Sequence, residues 1–362
     1  MIDARLSRRA VFAVAMSGLA LCAGPAMAAD PYKVAFVYTT PIGDFGYSYQ
    51  HHLSAEAVRA EFGDKVKVTE VENVAEGPDA ERVIGELAAG GSKLIFTTSF
   101  GYMNPVLKVA AQFPDVKFEQ ATGYKTADNV GNYNIRFYEG RYVTGILAGK
   151  ASKTGTIGYV ASFPIPEVVM GINAAYLGAK KANPNIKFKI VWLNTWFDPG
   201  KESDAARALI GQGADVLLQH TASPAVVGTA AEKGVWAVGQ STDMAHFAPD
   251  HVLTSIVNNW APYVVSRVHA AMDGKWSSQS VWLGMQDGAI IIPPINAKLP
   301  EDARKPAEVA TAAIAAGTVH PFTGPINRQD GSDWLKDGQT APDGELLGMN
   351  FYVEGIEGTL PK

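Results

Sequence analysis

Thiols are the first thing that this sequence lacks. Its one cysteine, Cys22, lies in an N-terminal segment typical of secretory signals. Three arginines between positions 5 and 9 form a basic start, residues 10–21 are an apolar run, and residues 26–28 are a small-residue cleavage site. We predict that residues 1–28 are a signal peptide, with Sec export preferred over twin-arginine export. The mature chain then has no thiol, which excludes disulfides, thiol catalysis and cysteine-based zinc sites.

Long apolar runs and excess positive charge are also missing. The apolar run of the signal is too short to span a bilayer, and no other segment reaches that length. Leu21 precedes Cys22 where a lipoprotein needs a small residue, so we expect no lipid anchor. Removal of the signal takes away three arginines and one aspartate and lowers the formal charge from −5 to −7. An acidic exported chain without a basic stripe is a poor nucleic-acid binder, so we predict a soluble periplasmic protein.

The motifs of metal, nucleotide and hydrolytic sites are absent from the sequence. It has no His-Glu-x-x-His motif, no Gly-x-Ser-x-Gly elbow, and neither a P-loop nor a Rossmann signature after its first predicted strand. His51 and His52 are adjacent on a predicted helix and point to different faces, which is poor geometry for chelation. His220 follows a predicted strand and is a candidate for the wall of a cleft. We therefore predict no metal, no cofactor and no catalytic residues.

What the sequence does have is a repeated alternation of strands and helices. Short apolar strands alternate with helices of about 10–15 residues from residue 33 to 122, and the pattern restarts near residue 156. This alternation predicts an α/β fold with two doubly wound parallel-sheet lobes. We expect the chain to cross between the lobes near residues 132–136, 255–259 and 284–290. Three crossovers would make a hinge with a closable cleft.

The crossovers set the predicted domain boundaries. Lobe 1 is expected to comprise residues 30–134 and 256–284, and lobe 2 to comprise residues 135–255 and 285–325. Residues 326–362 are rich in Gly, Asp and Pro and are predicted to form a C-terminal tail. We expect a monomer.

Aromatic side chains follow four of the predicted strands. The carboxyl ends of parallel strands lie at one edge of a sheet, where such folds bind ligands. Exposed aromatics are normally avoided, so several at one edge indicate a flat, partly apolar ligand held by stacking. The candidates for this role are Tyr47, Phe100, Tyr102 and Trp196.

Four stretches of the chain resemble the basic membrane protein (BMP) family of ABC-transporter substrate-binding proteins, which includes purine nucleoside receptors. They are Gly-Asp-Phe-Gly-Tyr-Ser at 43–48, residues 136–149, Thr-Trp-Phe-Asp-Pro-Gly-Lys-Glu at 195–202 and Gly-Gln-Ser-Thr-Asp at 239–243. The resemblance extends over residues 33 to about 325. It implies the type I periplasmic binding protein fold, a small-molecule ligand and an ABC permease in the inner membrane as partner.

The resemblance also implies which residues hold the ligand. In such proteins two aromatics from opposite lobes sandwich the purine, and Tyr47 and Trp196 stand at the matching positions. An acidic residue of the first loop usually contacts the base, and Asp44 matches it. The resemblance therefore implies a stacked purine with its edge facing a carboxylate.

The ribose-binding charges of the family are missing from this chain. The family commonly uses an Asp and a Lys, whereas Gln240 and Asn258 stand at the matching places and Asp243 lies nearby. This difference favours a free base or a related heterocycle over a nucleoside. Together with the acidic residue of the first loop, these three side chains supply hydrogen-bond donors and acceptors for the edge of the base.

Other functions stay open at this point. The preferred hypothesis is a receptor for a purine base of the adenine, hypoxanthine or xanthine class that serves an ABC importer. Alternatives are a receptor for a nucleoside or another small heterocycle, and a sensory co-receptor with the same fold. An exported nucleoside hydrolase would use Asp44, Asp198 or Asp243, but the sequence shows no compact carboxylate cluster for that chemistry.

Overall fold

The computed structural model describes residues 30–361, and the predicted signal peptide lies outside them. The first part of the chain forms β1 (Tyr32–Val37), α1 (Gly46–Phe62), β2 (Val66–Val71), α2 (Pro78–Ala89), β3 (Leu94–Thr97), α3 (Met103–Gln112), β4 (Lys117–Ala121) and β5 (Val130–Ile135). The second part forms α4 (Phe137–Ala151), β6 (Thr156–Ala161), α5 (Pro166–Ala182), β7 (Lys187–Trp192), α6 (Pro199–Gly211), β8 (Val216–Gln219), α7 (Ala225–Lys233), β9 (Trp236–Ser241) and β10 (Val252–Asn258).

The remaining elements complete both parts and add a C-terminal segment. They are α8 (Ala261–Met272), β11 (Ser280–Leu283), β12 (Ile290–Ile291), α9 (Glu301–Ala315), β13 (Ile326–Asn327), β14 (Asp333–Leu335) and α10 (Asp343–Leu346). Within residues 30–361, no helix is both long enough and apolar enough to cross a bilayer.

Two six-stranded sheets form the two lobes. The first has the strand order β11-β5-β4-β3-β1-β2 and the second has the order β12-β10-β9-β8-β6-β7. All pairings in the first sheet are parallel. The second sheet is parallel as well, except that the two-residue strand β12 pairs antiparallel with β10. The prediction of two parallel-sheet α/β lobes is confirmed, with β12 as the exception.

The chain passes between the two sheets at three places. It leaves the first sheet after β5 and enters the second lobe with α4. It returns from β10 through α8 to β11, and it crosses again from β11 to β12. These connections form a hinge of three segments and place the carboxyl ends of both sheets on facing sides of one cleft.

Burial on both faces explains the composition of the central strands. The four residues of β3, Leu-Ile-Phe-Thr, are all buried, and so are the six residues of β5. Parallel strands covered by helices on both faces are continuous buried runs and do not alternate between polar and apolar residues. Each sheet therefore provides a rigid base from which its loops extend into the cleft.

The close packing of α4 against α5 explains why α4 contains small residues. All residues of α4 except Lys150 are buried, and the helix packs along α5. A Cβ atom on Gly145 would overlap the carbonyl oxygen of Ala175, and one on Gly178 would overlap that of Tyr142. Only glycine permits this backbone approach.

The C-terminal segment, residues 326–361, packs onto lobe 2 and onto the hinge. Asn173 of α5 donates to the Phe351 carbonyl (2.8 Å) and accepts from the Val353 N–H (3.1 Å). At the start of α10, the Asp343 carboxylate pairs with both terminal nitrogens of Arg136, at 2.8 and 2.7 Å. Arg136 lies in the first crossover, so the tail is tied directly to the hinge.

Candidate ligand-binding cleft

A cavity with about 520 Å³ of empty space lies between the loops of the two lobes. Lobe 1 contributes residues that follow β1, β3 and β4. Lobe 2 contributes residues that follow β6, β7 and β8 and the last two residues of β9. The lining residues are Thr39, Thr40, Tyr47, Thr98, Ser99, Phe100, Thr122, Phe137, Glu167, Trp196, His220, Thr221, Ala222, Gln240 and Ser241. The cavity therefore occupies the edge at which doubly wound sheets bind ligands.

Aromatic rings from both lobes form the apolar walls of the cavity. Tyr47, at the start of α1, and Phe100, after β3, belong to lobe 1. Trp196, after β7, belongs to lobe 2, and Phe137 lies at the hinge. Rings on opposite sides of a narrow gap can hold a flat heterocycle by stacking on both of its faces.

Neighbouring rings hold the two principal aromatics in place. The Tyr47 ring packs edge-on against His51, with ring centroids 4.7 Å apart, and against Trp260 at 6.0 Å. The Trp196 ring lies 5.0 Å from Phe163. His51 is completely buried and has no charged partner within the part of the chain that the structure describes. This burial lowers its pKa to about 3, so the imidazole behind Tyr47 is uncharged.

The polar wall of the cavity carries atoms that are buried but have no hydrogen-bond partner among residues 30–361. They are Tyr47 Oη, Glu167 Oε2, His220 Nδ1 and Thr221 Oγ1. Buried polar groups in proteins are nearly always paired, because an unpaired one costs about 1–3 kcal/mol. Four such atoms around one cavity indicate a ligand with a polar edge.

Glu167 and His220 are adjacent on this wall. Glu167 lies in the first turn of α5, and its Oε1 is 3.5 Å from His220 Nε2. Burial raises the pKa of Glu167 to about 8, although Asn134 and Arg141 act in the opposite direction. Burial and, to a smaller extent, Arg141 hold the pKa of His220 well below its usual range, so this imidazole is neutral.

Two buried side chains behind the cavity orient its polar lining. Arg141 of α4 donates from Nη2 to Gln240 Oε1, which leaves the amide NH₂ of Gln240 as a donor. Asn258, in the second crossover, donates from Nδ2 to Ser241 Oγ at 3.2 Å. The last two residues of β9 thus have their orientations set by hinge and helix residues outside the cavity.

Two further cavities adjoin the central one. The larger, with about 670 Å³ of empty space, shares Thr39, Thr40 and Trp196 with it. The smaller, with about 400 Å³, shares Phe100, Thr122 and Glu167. The central cavity therefore adjoins further space that a substituent of the ligand could occupy.

One group of possible metal ligands lies elsewhere, on the α1 side of lobe 1. His52, Glu56 and Glu70 bring ligand atoms within 4.8 Å of one another. The Arg59 guanidinium already occupies this place, because it contacts Glu56 and lies 2.6 Å from Glu70 Oε1. Tyr38 also donates to Glu70, at 2.7 Å. The cluster is a hydrogen-bonded ion-pair network.

A protein-family model matches the part of the chain that forms this cleft. Residues 32–315 match the Bmp model, whose description is ABC transporter substrate-binding protein PnrA-like. The chain belongs to this family. The family match confirms the resemblance recognised from the four sequence stretches.

Two relatives extend the comparison of this Bmp-family protein. A purine-binding protein of Brucella abortus is 54% identical over 339 residues, which cover 94% of this chain and 97% of the relative. A putative ABC transporter glucose-binding protein of Haloferax volcanii is 35% identical over 332 residues, which cover 92% of this chain and 82% of the relative. The names of these relatives and the family description all refer to binding proteins.

Solved structures show the same fold. An ABC transporter solute-binding protein from Aeropyrum pernix aligns with a TM-score of 0.70 at 18% identity, covering 82% of this chain and 94% of that chain. One from Conexibacter woesei aligns with a TM-score of 0.65 at 24% identity, covering 80% and 97%. The predicted type I periplasmic binding fold is confirmed.

The structure brings four of the eight predicted site residues of this Bmp-family protein to the cavity wall. They are Tyr47, Phe100, Trp196 and Gln240. The other four lie outside the lining: Asp44 and Asp243 are exposed, whereas Tyr102 and Asn258 are completely buried.

Each of these four outlying positions has a physical reason. Tyr102 points into the core of lobe 1, where its hydroxyl donates to the Val74 carbonyl at 2.6 Å. Asp243 turns back to accept from the Ala245 N–H at 3.0 Å. Asp44 lies in a loop between two glycines with positive φ and is directed to solvent. Asn258 supports the lining from behind through Ser241.

Sequence reasoning missed Glu167, which takes the place expected of Asp44 as the carboxyl group of the cavity. Glu167 follows Pro166 at the start of a helix, a position that a solvated first-turn acid also fits. His220 was a candidate for the wall because it directly follows β8, and it lines the cavity. Asp198, considered for a hydrolase, is the N-cap of α6 and accepts from the Lys201 N–H at 3.0 Å.

The two lobes touch across the mouth of the cleft. Trp196 Nε1 donates to Glu76 Oε1 at 3.2 Å, and the Gly46 N–H donates to Thr242 Oγ1 at 3.1 Å. Gly46 packs so closely on the Ala222 carbonyl that a Cβ atom would overlap it. The structure therefore represents the closed arrangement of the lobes.

Proposed function

We propose that this Bmp-family protein is a periplasmic receptor that binds a purine base in the cleft and delivers it to an ABC importer. The observation that carries the proposal is the combination of aromatic rings from both lobes with four polar atoms that have no partner among the described residues, all around one cavity. A flat base offers two faces for stacking and an edge for hydrogen bonds. The high identity to a protein named as purine-binding supports the same ligand class.

A free base fits this lining better than a nucleoside. The positions that would supply an Asp and a Lys for ribose hold Gln240 and Asn258 instead. Gln240 is engaged by Arg141, and Asn258 lies behind the wall. A sugar hydroxyl would therefore meet no charged partner at either place.

The site stabilises the closed form when it is filled. Tyr47 belongs to lobe 1 and Trp196 to lobe 2, so a ligand contacts both rings only when the lobes are closed. Better binding to one conformation shifts the population towards it. The closed form is then the one that a permease would recognise.

Isothermal titration calorimetry of the protein stripped of ligand by unfolding and refolding tests the proposal. The panel consists of adenine, hypoxanthine and xanthine, with adenosine, inosine and D-glucose as contrasts. We expect micromolar or tighter affinity for at least one base and weaker binding of its nucleoside. Tight binding of glucose, the ligand named for the Haloferax relative, without binding of any purine would refute the proposal.

An enzymatic role is tested in the same preparation. A nucleoside hydrolase would release a free base from inosine or adenosine, and chromatography detects that product. We expect none, because Glu167 is the one carboxyl group that residues 30–361 contribute to the cavity lining, and hydrolysis of this kind needs a general base with a metal or a second acid. Copurification with a kinase or chemoreceptor, in place of a permease, would assign the protein to sensing.

A further inference from the structure

Glu167 is the one carboxyl group that lines the central cavity within the described residues. Its side chain is 12% exposed, and its Oε2 atom has no hydrogen-bond partner in residues 30–361. It also lines the smaller adjoining cavity, so the carboxyl group stands between the two spaces. A ligand that fills the central cavity would therefore lie beside this carboxyl group.

The groups around Glu167 do not provide it with a cationic partner. His220, on its Oε1 side, is neutral for the reasons given above. Arg141 is not within ion-pair distance of Glu167 among the described residues, and its Nη2 is bonded to Gln240. Tyr47 and Tyr159 also face this region and are neutral, because burial raises the pKa of both hydroxyls.

A buried carboxylate without a cationic partner is unfavourable, because transfer from water to a low-dielectric site disfavours the charged form. The N-terminus of α5, the Asn134 amide and the more distant Arg141 charge favour the carboxylate. The net effect of burial against these groups raises the pKa of Glu167 to about 8. The neutral form therefore dominates near neutral pH.

A neutral carboxyl group has a different recognition pattern from a carboxylate. The carboxylate only accepts hydrogen bonds, whereas the acid has one O–H donor beside one C=O acceptor. Two parallel hydrogen bonds then form only with a partner edge that also has one donor beside one acceptor. Adenine has this pattern at N6–H and N1, and hypoxanthine has it at N1–H and O6.

We propose that Glu167 binds as a neutral carboxylic acid and selects a base edge on which one hydrogen-bond donor lies beside one acceptor. This inference rests on the proposed function, because it assumes that a purine base occupies the cavity. Beyond the proposed function, it identifies Glu167 as the residue that recognises the edge of the base and gives the protonation state in which Glu167 does so. The ligand class becomes bases with an adenine-type amidine edge or a hypoxanthine-type lactam edge.

Adenine is the probe for the test, since it stays neutral across the range used. Calorimetry is done at about pH 7 and about pH 9 on wild type, Glu167→Gln and Glu167→Leu. Burial raises the pKa of Glu167 to about 8, so its neutral form predominates at about pH 7 and is largely ionised at about pH 9. Since the neutral form is the one that binds adenine, the wild-type Kd should rise about tenfold from the lower to the higher pH.

The two variants separate the donor–acceptor pattern from the mere presence of a side chain. The amide of Glu167→Gln keeps one donor beside one acceptor and does not titrate, so its Kd should stay within about threefold of wild type at about pH 7 and should not change with pH. Glu167→Leu removes both groups and should weaken binding at least about tenfold. Glu308→Gln, on the surface of α9, serves as the matched control and should retain the wild-type pH profile.

Two results would overturn the inference, provided that circular dichroism shows folded protein at both pH values. One is a wild-type affinity that does not change with pH, and the other is a Gln variant that binds no better than the Leu variant. If wild type binds no purine at either pH, the proposed function itself fails. That outcome is distinct from purine binding without the predicted pH profile.

Discussion

Replacing Trp196 by alanine tests the stacking wall most directly. The ring lines the cavity from lobe 2, and stacking of a base on an aromatic contributes about 1–3 kcal/mol. The indole also donates to Glu76 across the cleft mouth at 3.2 Å, and a hydrogen bond contributes about 0.5–1.5 kcal/mol net. Glu76 is exposed, so the lower part of that range applies. Since about 1.4 kcal/mol is tenfold in Kd, we expect the affinity for adenine to fall about 10- to 100-fold.

Two further variants distinguish the loss of affinity caused by lost stacking from the loss caused by weaker closure of the lobes. Trp196→Phe keeps a ring and removes the N–H, and Glu76→Gln keeps the acceptor oxygen and removes the charge. We expect each of them to lose about fivefold or less in affinity by calorimetry. An alanine variant that binds as tightly as wild type, while melting at the same temperature, would show that the ring is not a wall of the ligand site. Equal losses in the Ala and Phe variants would assign the effect to closure.

Two further predictions concern parts of the fold next to the site. Gly145→Ala should destabilise the protein by about 1–3 kcal/mol in urea unfolding, because its Cβ would overlap the Ala175 carbonyl, whereas Gly228→Ala, with open space around it, should stabilise α7 by about 0.5–1 kcal/mol. Equal effects would contradict the close packing of α4 on α5. Tyr102→Phe should cost about 0.5–1.5 kcal/mol in the same assay, through loss of the bond to the Val74 carbonyl, and should leave adenine affinity unchanged. A loss of adenine affinity would instead indicate that Tyr102 contributes to the ligand site.

Local sequence patterns predicted most of the fold. The strand–helix alternation predicted the two parallel-sheet lobes, which the structure confirms. Strand β11 was harder to recognise. It is formed by pairing with β5, far away in sequence, and has little pattern of its own. The tail, residues 326–361, likewise gains its order from contacts with α5 and the hinge.

The site was more predictable where a side chain follows a strand and has an aromatic ring. Tyr47, Phe100 and Trp196 fulfilled both conditions and line the cavity. Tyr102 fulfilled them as well but packs into the core of lobe 1. Charged and amide side chains were less predictable, because a rotation of the loop decides between the cavity, the core and solvent. Asp243 turns back onto its own loop, and Glu167 enters the cavity from a helix start. Neither direction follows from spacing in the sequence.

The contacts at the cleft mouth bear on how closure of the lobes is driven. Two hydrogen bonds, from Trp196 to Glu76 and from Gly46 to Thr242, connect the lobes there, and each contributes about 0.5–1.5 kcal/mol. The Phe45 ring of lobe 1 also packs on Phe197 and Phe247 of lobe 2. Four polar atoms of the cavity have no hydrogen-bond partner among residues 30–361, and an unpaired buried polar atom costs about 1–3 kcal/mol. Under the proposed function, a ligand that pairs with these atoms and stacks on both walls would therefore favour the closed form. Recognition of the ligand and closure of the lobes would then depend on one set of contacts.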